Sequence, residues 1–385
     1  MFKNKSLLNN YWEIKDCPER LILSSSQKNK ISPLLAKLLL SRNIDNDSVE
    51  SFLNPNINDK IPNPFLLKDM LKAVKRTLLA LNNNETIGII ADYDVDGSTS
   101  ASILFKFLNI FKNKIIIKTP NRLSEGYGPN IRLMDELLKS EAKLIFTLDC
   151  GTSSFDIIDN LKYSKIDIIV IDHHLSETNL PNVHSIINPN RFDEADDFKE
   201  LAAVGVTFLF LMALRHYLRN KDFFNDKVKE PNLLYYLDLV ALGTICDVVN
   251  LSNYNRIFVK KGLDIIKERK NKALTTLIDN SNLKSTPNSS DIGYVVGPQL
   301  NAASRIDDSS LPSKLLISNN VEEIEKISRK LILLNQKRKL IENSIFEEAL
   351  VQAENQKNNK FILVHGQSWH NGVLGIIASK LLFKF

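Results

Sequence analysis

Residues 86–101 read TIGIIADYDVDGSTSA. The run Thr86–Ala91 is short and apolar, as a strand buried on both faces should be. Three acids on alternate positions follow, Asp92, Asp94 and Asp96, and then Gly97, where the backbone is free to bend sharply into the next element. A helix is expected from about Thr99 to Phe111. The same grammar repeats downstream. Lys114–Lys118, Lys143–Leu148 and Asp167–Ile171 are further short apolar runs, with helical segments between them. Short strands separated by amphipathic helices predict an α/β fold, a parallel sheet flanked by helices.

Outward from that centre, residues 1–75 read as an N-terminal helical extension. It holds a helix over Ser32–Leu40, a loop punctuated by Asn54-Pro55, Pro62 and Pro64, and a short helix over Leu67–Leu81. Residues 76–255 form the expected core, with helices over Leu201–Arg219 and Leu233–Gly243. Residues 256–355 complete it. A polar stretch after Asn280 predicts a loop, and Ile324, Ile327, Leu331, Leu334, Ile341 and Ile345 step by threes and fours along a helix over Val321–Asn355, with Arg338 interrupting the run. At 1.5 Å per residue such a helix spans about 50 Å, enough to connect two lobes. Residues 356–385 read as the start of a second, smaller α/β domain, with a strand at Phe361–Val364 and a helix from Gly375 to Leu382. The chain is expected to be a fragment of a longer gene product.

The composition narrows the class. Of 385 residues 43% are hydrophobic and 25% charged, with a net charge of +5, so a polyanionic partner is permitted without being demanded. Cys17, Cys150 and Cys246 are sparse, odd in number and without CxxC spacing, which disfavours a disulfide framework or a cysteine-rich zinc site and fits a reducing cytoplasm. No secretory signal pattern and no run of about 18 apolar residues is present.

Chemistry gathers where strands end. Asp92, Asp94 and Asp96 follow the first; Asp149 in TLDCGTS and Asp172-His173-His174 in VIDHH follow two others; Asp247 in ALGTICDVV follows a helix. In doubly wound sheets ligands collect outside the carboxyl ends of the strands. A lone aspartate at a strand end is more often a helix cap, and taken singly Asp149, Asp172 and Asp247 read that way. Together they change the balance, because converging carboxylates repel unless cations lie between them. A mixed carboxylate and imidazole shell suits Mn²⁺ better than Mg²⁺. A pair of such ions activates water and stabilises a leaving oxygen in phosphoester cleavage.

These motifs resemble the DHH phosphoesterase family, whose name is spelled by Asp172-His173-His174. Family members acting on small nucleotides carry a His three residues before a DxD pair. Here Ile90 stands in its place and DYDVDG follows, the form of the family's single-stranded-DNA exonuclease branch. TPNRLSEGYGPN (119–130), VGPQLNAASRI (296–306) and WHNGVLGIIASKL (369–381) resemble further motifs of that branch, the last being the opening of the DHH-associated domain. Two positions depart from it: Gln299 stands where an Arg is usual, removing a cation that would grip substrate, and Ser304 where a Gly is usual, adding a side chain where the backbone needs freedom.

Carried over by residue, the resemblance implies two ions, Mn²⁺ with Mg²⁺ as the alternative. Asp94 and Asp96 hold one each, Asp149 bridges them, Asp92 assists the first, and His173 and Asp247 complete the second. His174 faces the scissile phosphate as a donor or acid. Arg122, Asn301, Arg305 and His370 contact the substrate. The implied activity is 5′ to 3′ hydrolysis of single-stranded DNA to mononucleotides in recombination and repair, by a monomer working beside a single-strand-binding protein and a RecQ-type helicase. Rival expectations are a phosphodiesterase for short RNA or cyclic dinucleotides, against which the first motif and residues 299–305 argue, and a non-catalytic scaffold with decayed ligands, against which the intact acids argue.

Overall fold

The computed structural model describes residues 5–7, 9–13, 15–55, 63–158, 160, 163, 165–195, 198–283 and 285–385. The chain divides into two compact units, Met1–Ile61 and Pro62–Phe385. Among the described residues the first holds three helices, α1 (Glu19–Asn29), α2 (Pro33–Ser41) and α3 (Val49–Leu53). In α2 Pro33 takes the first helical position and the Ser32 hydroxyl accepts from Leu35 N, the expected start chemistry. Part of the loop read through Pro62 lies outside the described residues.

The second unit is built on a five-stranded parallel sheet in the order β2-β1-β3-β4-β5. After α4 (Met70–Asn82) come β1 (Thr86–Ala91), α5 (Val95–Leu108), β2 (Ile115–Lys118), α6 (Ile131–Lys139), β3 (Ala142–Leu148), β4 (Asp167–Ile171) and β5 (Ser185–Ile187). From β1 the chain steps to one side to make β2, then crosses to the other side for β3, so the crevice between β1 and β3 is the topological switch point. β5 is missing from the sequence reading because three residues carry almost no periodicity. It is secured from outside the ladder, where Asp69 accepts from Ile186 N at 3.0 Å.

The helix α5 starts four residues earlier than its apolar pattern suggests, because the Asp94 carboxylate caps it by accepting from Gly97 N at 3.0 Å. Its sequence, VDGSTSASILFKFL, is rich in small residues and is buried on nearly every side. Small residues let neighbours approach closely: a Cβ on Gly243 would lie 2.4 Å from Thr99 Oγ1. That neighbour is α8 (Leu237–Cys246), which with α7 (Ala203–Arg219) packs around α5.

Beyond them lie α9 (Asn253–Lys267), α10 (Lys272–Asn280), α11 (Gly297–Ile306), α12 (Leu311–Ile317), α13 (Val321–Glu354) and α14 (Leu374–Leu382). The polar stretch read as loop after Asn280 is non-helical over its described residues 281–283 and 285–288, and helix resumes at Ser289. The Asn288 side chain accepts from Ser290 N and Asp291 N while Asp291 accepts from Asn288 N, a capping box that launches a π-helical turn (Ile292–Val296) into α11. Ser304, expected to need backbone freedom, instead sits inside this helix with its hydroxyl on the Asn301 carbonyl. Along α13 the apolar run breaks at Arg338 because that guanidinium pairs with the buried Glu342, which also binds Lys380 Nζ at 2.6 Å. The second half of α13 forms a separate core: Ile345, Ala349 and Ala353 pack against Val373, Ile377 and Leu381.

The expected strand Phe361–Val364 does not form and joins no ladder. Side chains at and just beyond the end of α13 occupy polar groups here, Gln356 bonding both N and O of Leu363, and Gln352 both N and O of the following His365. No helix among the described residues is long and apolar enough to cross a membrane.

Candidate metal centre

Asp92, Asp94, Asp96, Asp149, His173, His174 and Asp247 meet at the carboxyl ends of β1, β3 and β4. Three overlapping groups have ligand atoms within 4.8 Å of one another: Asp92–Asp94–Asp149, Asp96–His173–Asp247, and Asp149–His173–His174. His173 Nε2 lies 3.3 Å from Asp149 Oδ1, 3.6 Å from Asp247 Oδ2 and 3.9 Å from Asp96 Oδ2. Asp149 is common to two of the groups, and its backbone takes a left-handed φ of 60° immediately after β3.

Each residue is aimed by its surroundings. Asp96 is fully buried in the first turn of α5, and its two oxygens accept from Ala203 N and Val204 N at 2.7 and 2.8 Å, so it caps the start of α7 from a distance. Asp247 closes the C-terminal end of α8. Asp172 does not start a helix and does not face the cluster. Its Oδ1 accepts from His173 N, His174 N and His174 Nδ1 at 2.8, 3.3 and 2.8 Å, and its Oδ2 from Thr152 N at 3.1 Å. It is the brace that folds the two histidines over the end of β4.

The electrostatics of the assembled cluster are severe. Burial first and Asp94 second push Asp92 up to about 8 and Asp247 up to about 7. Asp149 is raised by burial and then by Asp94, and Asp96 by burial and then by Asp247. Asp172 behaves oppositely: burial would raise it, but the hydrogen bond and charge of His174 and the bonds from Thr152 hold it at about 2. Burial lowers His173, while the Asp172 hydrogen bond raises His174. Two like charges about 4 Å apart at an effective dielectric of about 20 repel by about 4 kcal/mol. Several such pairs converge here, so the charged form of the cluster requires cations.

The residues present fit divalent ions. Asp92 Oδ1, Asp149 Oδ1, His173 Nε2 and Asp247 Oδ2 are all buried and without a hydrogen-bond partner. Orphaned buried polar atoms are rare and need an explanation. Here the orphans are hard oxygen donors and an imidazole nitrogen turned toward one another, the donor set of a Mn²⁺ or Mg²⁺ site.

Around the cluster, the Arg122 guanidinium lies 4.8 Å from the Tyr93 ring centroid. Arg305, at the end of α11, sits close enough to feel Arg122, and burial followed by that repulsion lowers it to about 10. Its Nη1 donates to the Gly372 carbonyl at 2.9 Å, and Gly372 N in turn donates to His370 Nδ1 at 3.1 Å. His370 is therefore joined to Arg305 through the Gly372 turn. Asn301 lies on α11 with its carbonyl engaged by Ser304. Gln299 is buried, and its Oε1 accepts from Ser281 Oγ at 3.0 Å.

Sequence reasoning missed the supports. Tyr127 donates to the Asp149 carbonyl at 2.6 Å and meets His174 Nδ1 at 3.1 Å. Asn188 holds the His174 carbonyl at 2.9 Å, and Asn190 holds that of His173. Tyr127 carried a signal, standing in the motif from which only Arg122 was chosen; the asparagines carried none.

Residues 86–244 match the family model described as "DHH family, N-terminal domain". That stretch runs from β1 into α8 and holds the acids and histidines of the centre apart from Asp247. Similarity runs to proteins named single-stranded-DNA-specific exonuclease RecJ. The Dickeya dadantii protein is 37% identical over 83% of this chain and 57% of its own length. That of Escherichia coli is 35% identical over 92% of this chain and 63% of its own. This chain thus spans about six-tenths of the length of these curated relatives. Among solved structures, exonuclease RecJ bound to manganese superposes with a TM-score of 0.73 at 29% identity, covering 84% of this chain and 78% of that one. RecJ of Thermus thermophilus in complex with Mn²⁺ gives 0.79 at 26% identity, covering 96% and 51%.

Proposed function

We propose that this chain is a divalent-metal-dependent phosphodiesterase that shortens single-stranded DNA from its 5′ end, releasing mononucleotides. The observation that carries the reading is the set of orphaned buried ligand atoms on Asp92, Asp149, His173 and Asp247, at the switch point of a sheet that matches the DHH-family model. The names of the RecJ relatives supply the substrate class, and the Mn²⁺ and Mg²⁺ complexes of the Thermus thermophilus protein supply the ion. Recombination and repair as the setting, and a single-strand-binding protein and RecQ-type helicase as partners, rest on that resemblance alone. The boundaries read at 76, 256 and 356 belong to the same proposal, and the separate core behind the second half of α13 supports the last of them.

Bound divalent ions would neutralise the carboxylates and supply an activated water to the phosphorus. The chain's own residues do the rest. Asp92, Asp94 and Asp149 would hold one ion, and Asp96, His173 and Asp247 the other, with Asp149 placed to serve both. Asp172 keeps His174 turned so that its Nε2 is the nitrogen left for the scissile phosphate. Arg122 and Arg305 offer forked donors to phosphate oxygens, positioning the strand end. Attack of water on the terminal phosphodiester releases the 3′-oxygen of the first nucleotide, which takes up a proton.

The test is degradation of 3′-labelled single-stranded DNA in Mn²⁺, comparing the chain with His173→Ala. A ladder of shortened labelled strands, lost in the variant, is expected. No shortening by the chain itself would defeat the reading, and immediate release of labelled mononucleotide would reverse the polarity.

A further inference from the structure

The loop joining β2 to α6 enters the metal centre at one point. Asn121 Oδ1 accepts from Leu123 N and Ser124 N, Glu125 accepts from Asn121 N at 2.7 Å and pairs with Arg132, and Asn130 caps α6. These bonds lock both ends of the loop. Between them Gly126 and Gly128 take φ of 80° and 82°, left-handed values that cost glycine nothing. They turn the Tyr127 hydroxyl toward the cluster while the residue stays about half exposed (48%), its ring edge-on to His174 at 5.5 Å between centroids.

The hydroxyl of Tyr127 touches two residues of the cluster at once. Its single proton goes to the Asp149 carbonyl at 2.6 Å. Its oxygen then faces His174 Nδ1 at 3.1 Å as an acceptor. The other neighbour of Nδ1 is the Asp172 carboxylate at 2.8 Å, also an acceptor, so the hydrogen of the neutral ring belongs on Nδ1. Asp149 is the non-glycine residue in the cluster with a left-handed backbone, and the Tyr127 bond is what its carbonyl receives in return. Neither contact follows from the adjacent strands.

We propose that Tyr127 is a positioning residue of this site: through one hydroxyl it fixes the backbone of Asp149 and the ring of His174 in a single arrangement. The proposal rests on the phosphodiesterase reading above and deepens it. Tyr127 touches no reacting atom and acts through the two residues it spans. The same loop carries Arg122, so the element that sets the phosphate-side guanidinium also sets the metal-side carboxylate.

The experiment uses the full chain with Tyr127→Phe and Tyr127→Ala, titrated with Mn²⁺ by calorimetry after chelator treatment, alongside thermal unfolding and steady-state cleavage of single-stranded DNA. Phenylalanine keeps the ring and removes only the hydroxyl. Partners one step out from metal ligands commonly control affinity by tenfold or more, so Tyr127→Phe is expected to weaken Mn²⁺ by about tenfold. It should also lower kcat at nearly unchanged KM, with its unfolding midpoint preserved, and the alanine variant should be no worse in Mn²⁺ affinity. A phenylalanine variant that titrates as the wild type does, or an alanine variant that raises only KM, overturns the proposal and makes the ring a substrate contact. A wild-type chain that takes up no Mn²⁺ defeats the phosphodiesterase reading and this proposal together, which separates that failure from the first.

Discussion

Replacing Asp172 by Asn tests whether the family's signature aspartate acts as a brace. The side chain is buried and accepts four hydrogen bonds, three on Oδ1 and one on Oδ2. An amide of the same shape must turn its NH₂ toward groups that are themselves donors. Setting that amide at the Oδ2 position loses the Thr152 bond and the negative charge beside His174. Leaving a buried donor unmet costs about 1–3 kcal/mol. A second route gives a similar figure: holding the carboxyl at about 2 instead of its ordinary 3.8 corresponds to ~2.5 kcal/mol of preference for the charged form. Asp172→Asn is therefore expected to lose about 2.5 kcal/mol in urea unfolding of the metal-free chain at neutral pH. The sign follows from a depressed folded value. The contribution is complete above the unfolded value of 3.8 and fades as pH falls through about 2, so the two chains should converge in strong acid. The variant should also bind Mn²⁺ more weakly, because a neutral amide oxygen at the Oδ1 position anchors His173 N and His174 N less firmly than the carboxylate does. Stability within about 0.5 kcal/mol of wild type would refute the brace, since that is the range of a surface substitution.

Gly97→Ala should abolish Mn²⁺ binding in titration while leaving most of the helical circular dichroism, because its Cβ would stand 2.5 Å from the Asp92 carbonyl oxygen and push the acidic turn open. Arg76→Ala should cost about 3 kcal/mol in chemical unfolding, as it strips a partner from Glu85 and uncovers the Lys143 carbonyl in a nearly buried setting. Mn²⁺ uptake at pH 7 should release protons, read as a dependence of calorimetric heat on buffer ionisation enthalpy, because Asp92 at about 8 and Asp247 at about 7 hold protons without the ion. For the metal-free chain the sign is the reverse of that for Asp172. The folded state binds the extra protons between the ordinary value of 3.8 and about 8, so its stability should fall as pH rises through that window, and added Mn²⁺ should flatten the slope.

The chain states its sheet plainly. Thr86–Ala91, Lys143–Leu148 and Asp167–Ile171 are buried on both faces, so their residues are apolar without alternation, and turns bound them. The helix seam of α13 was equally legible, since Ile324 to Ile345 repeat at helical spacing over a long run. Where packing sets the outcome, local pattern failed. Phe361–Val364 has a strand's composition, but it and the following His365 meet two glutamine side chains instead of a neighbouring strand. The segment after Asn280, by contrast, has a loop's composition and is non-helical over its described residues to Asn288, where a capping box starts the next helix.

The site divides along the same line. Sequence alone determined that acids and imidazoles stand at strand ends, because a strand followed by a turn aims its first residues beyond the sheet, and that rule is local. It could not determine that Asp96 would be buried under the first turn of α7, or that Asp247 would arrive from α8 to within 3.6 Å of His173 Nε2. Those meetings depend on how closely α5, α7 and α8 approach through Thr99 and Gly243, and on the strand order that opens the crevice between β1 and β3. Tyr127 belongs wholly to that second class. Its reach to Asp149 and His174 comes from two left-handed glycines and from the placement of β3 and β4 beside its loop, relations between distant segments that only packing sets.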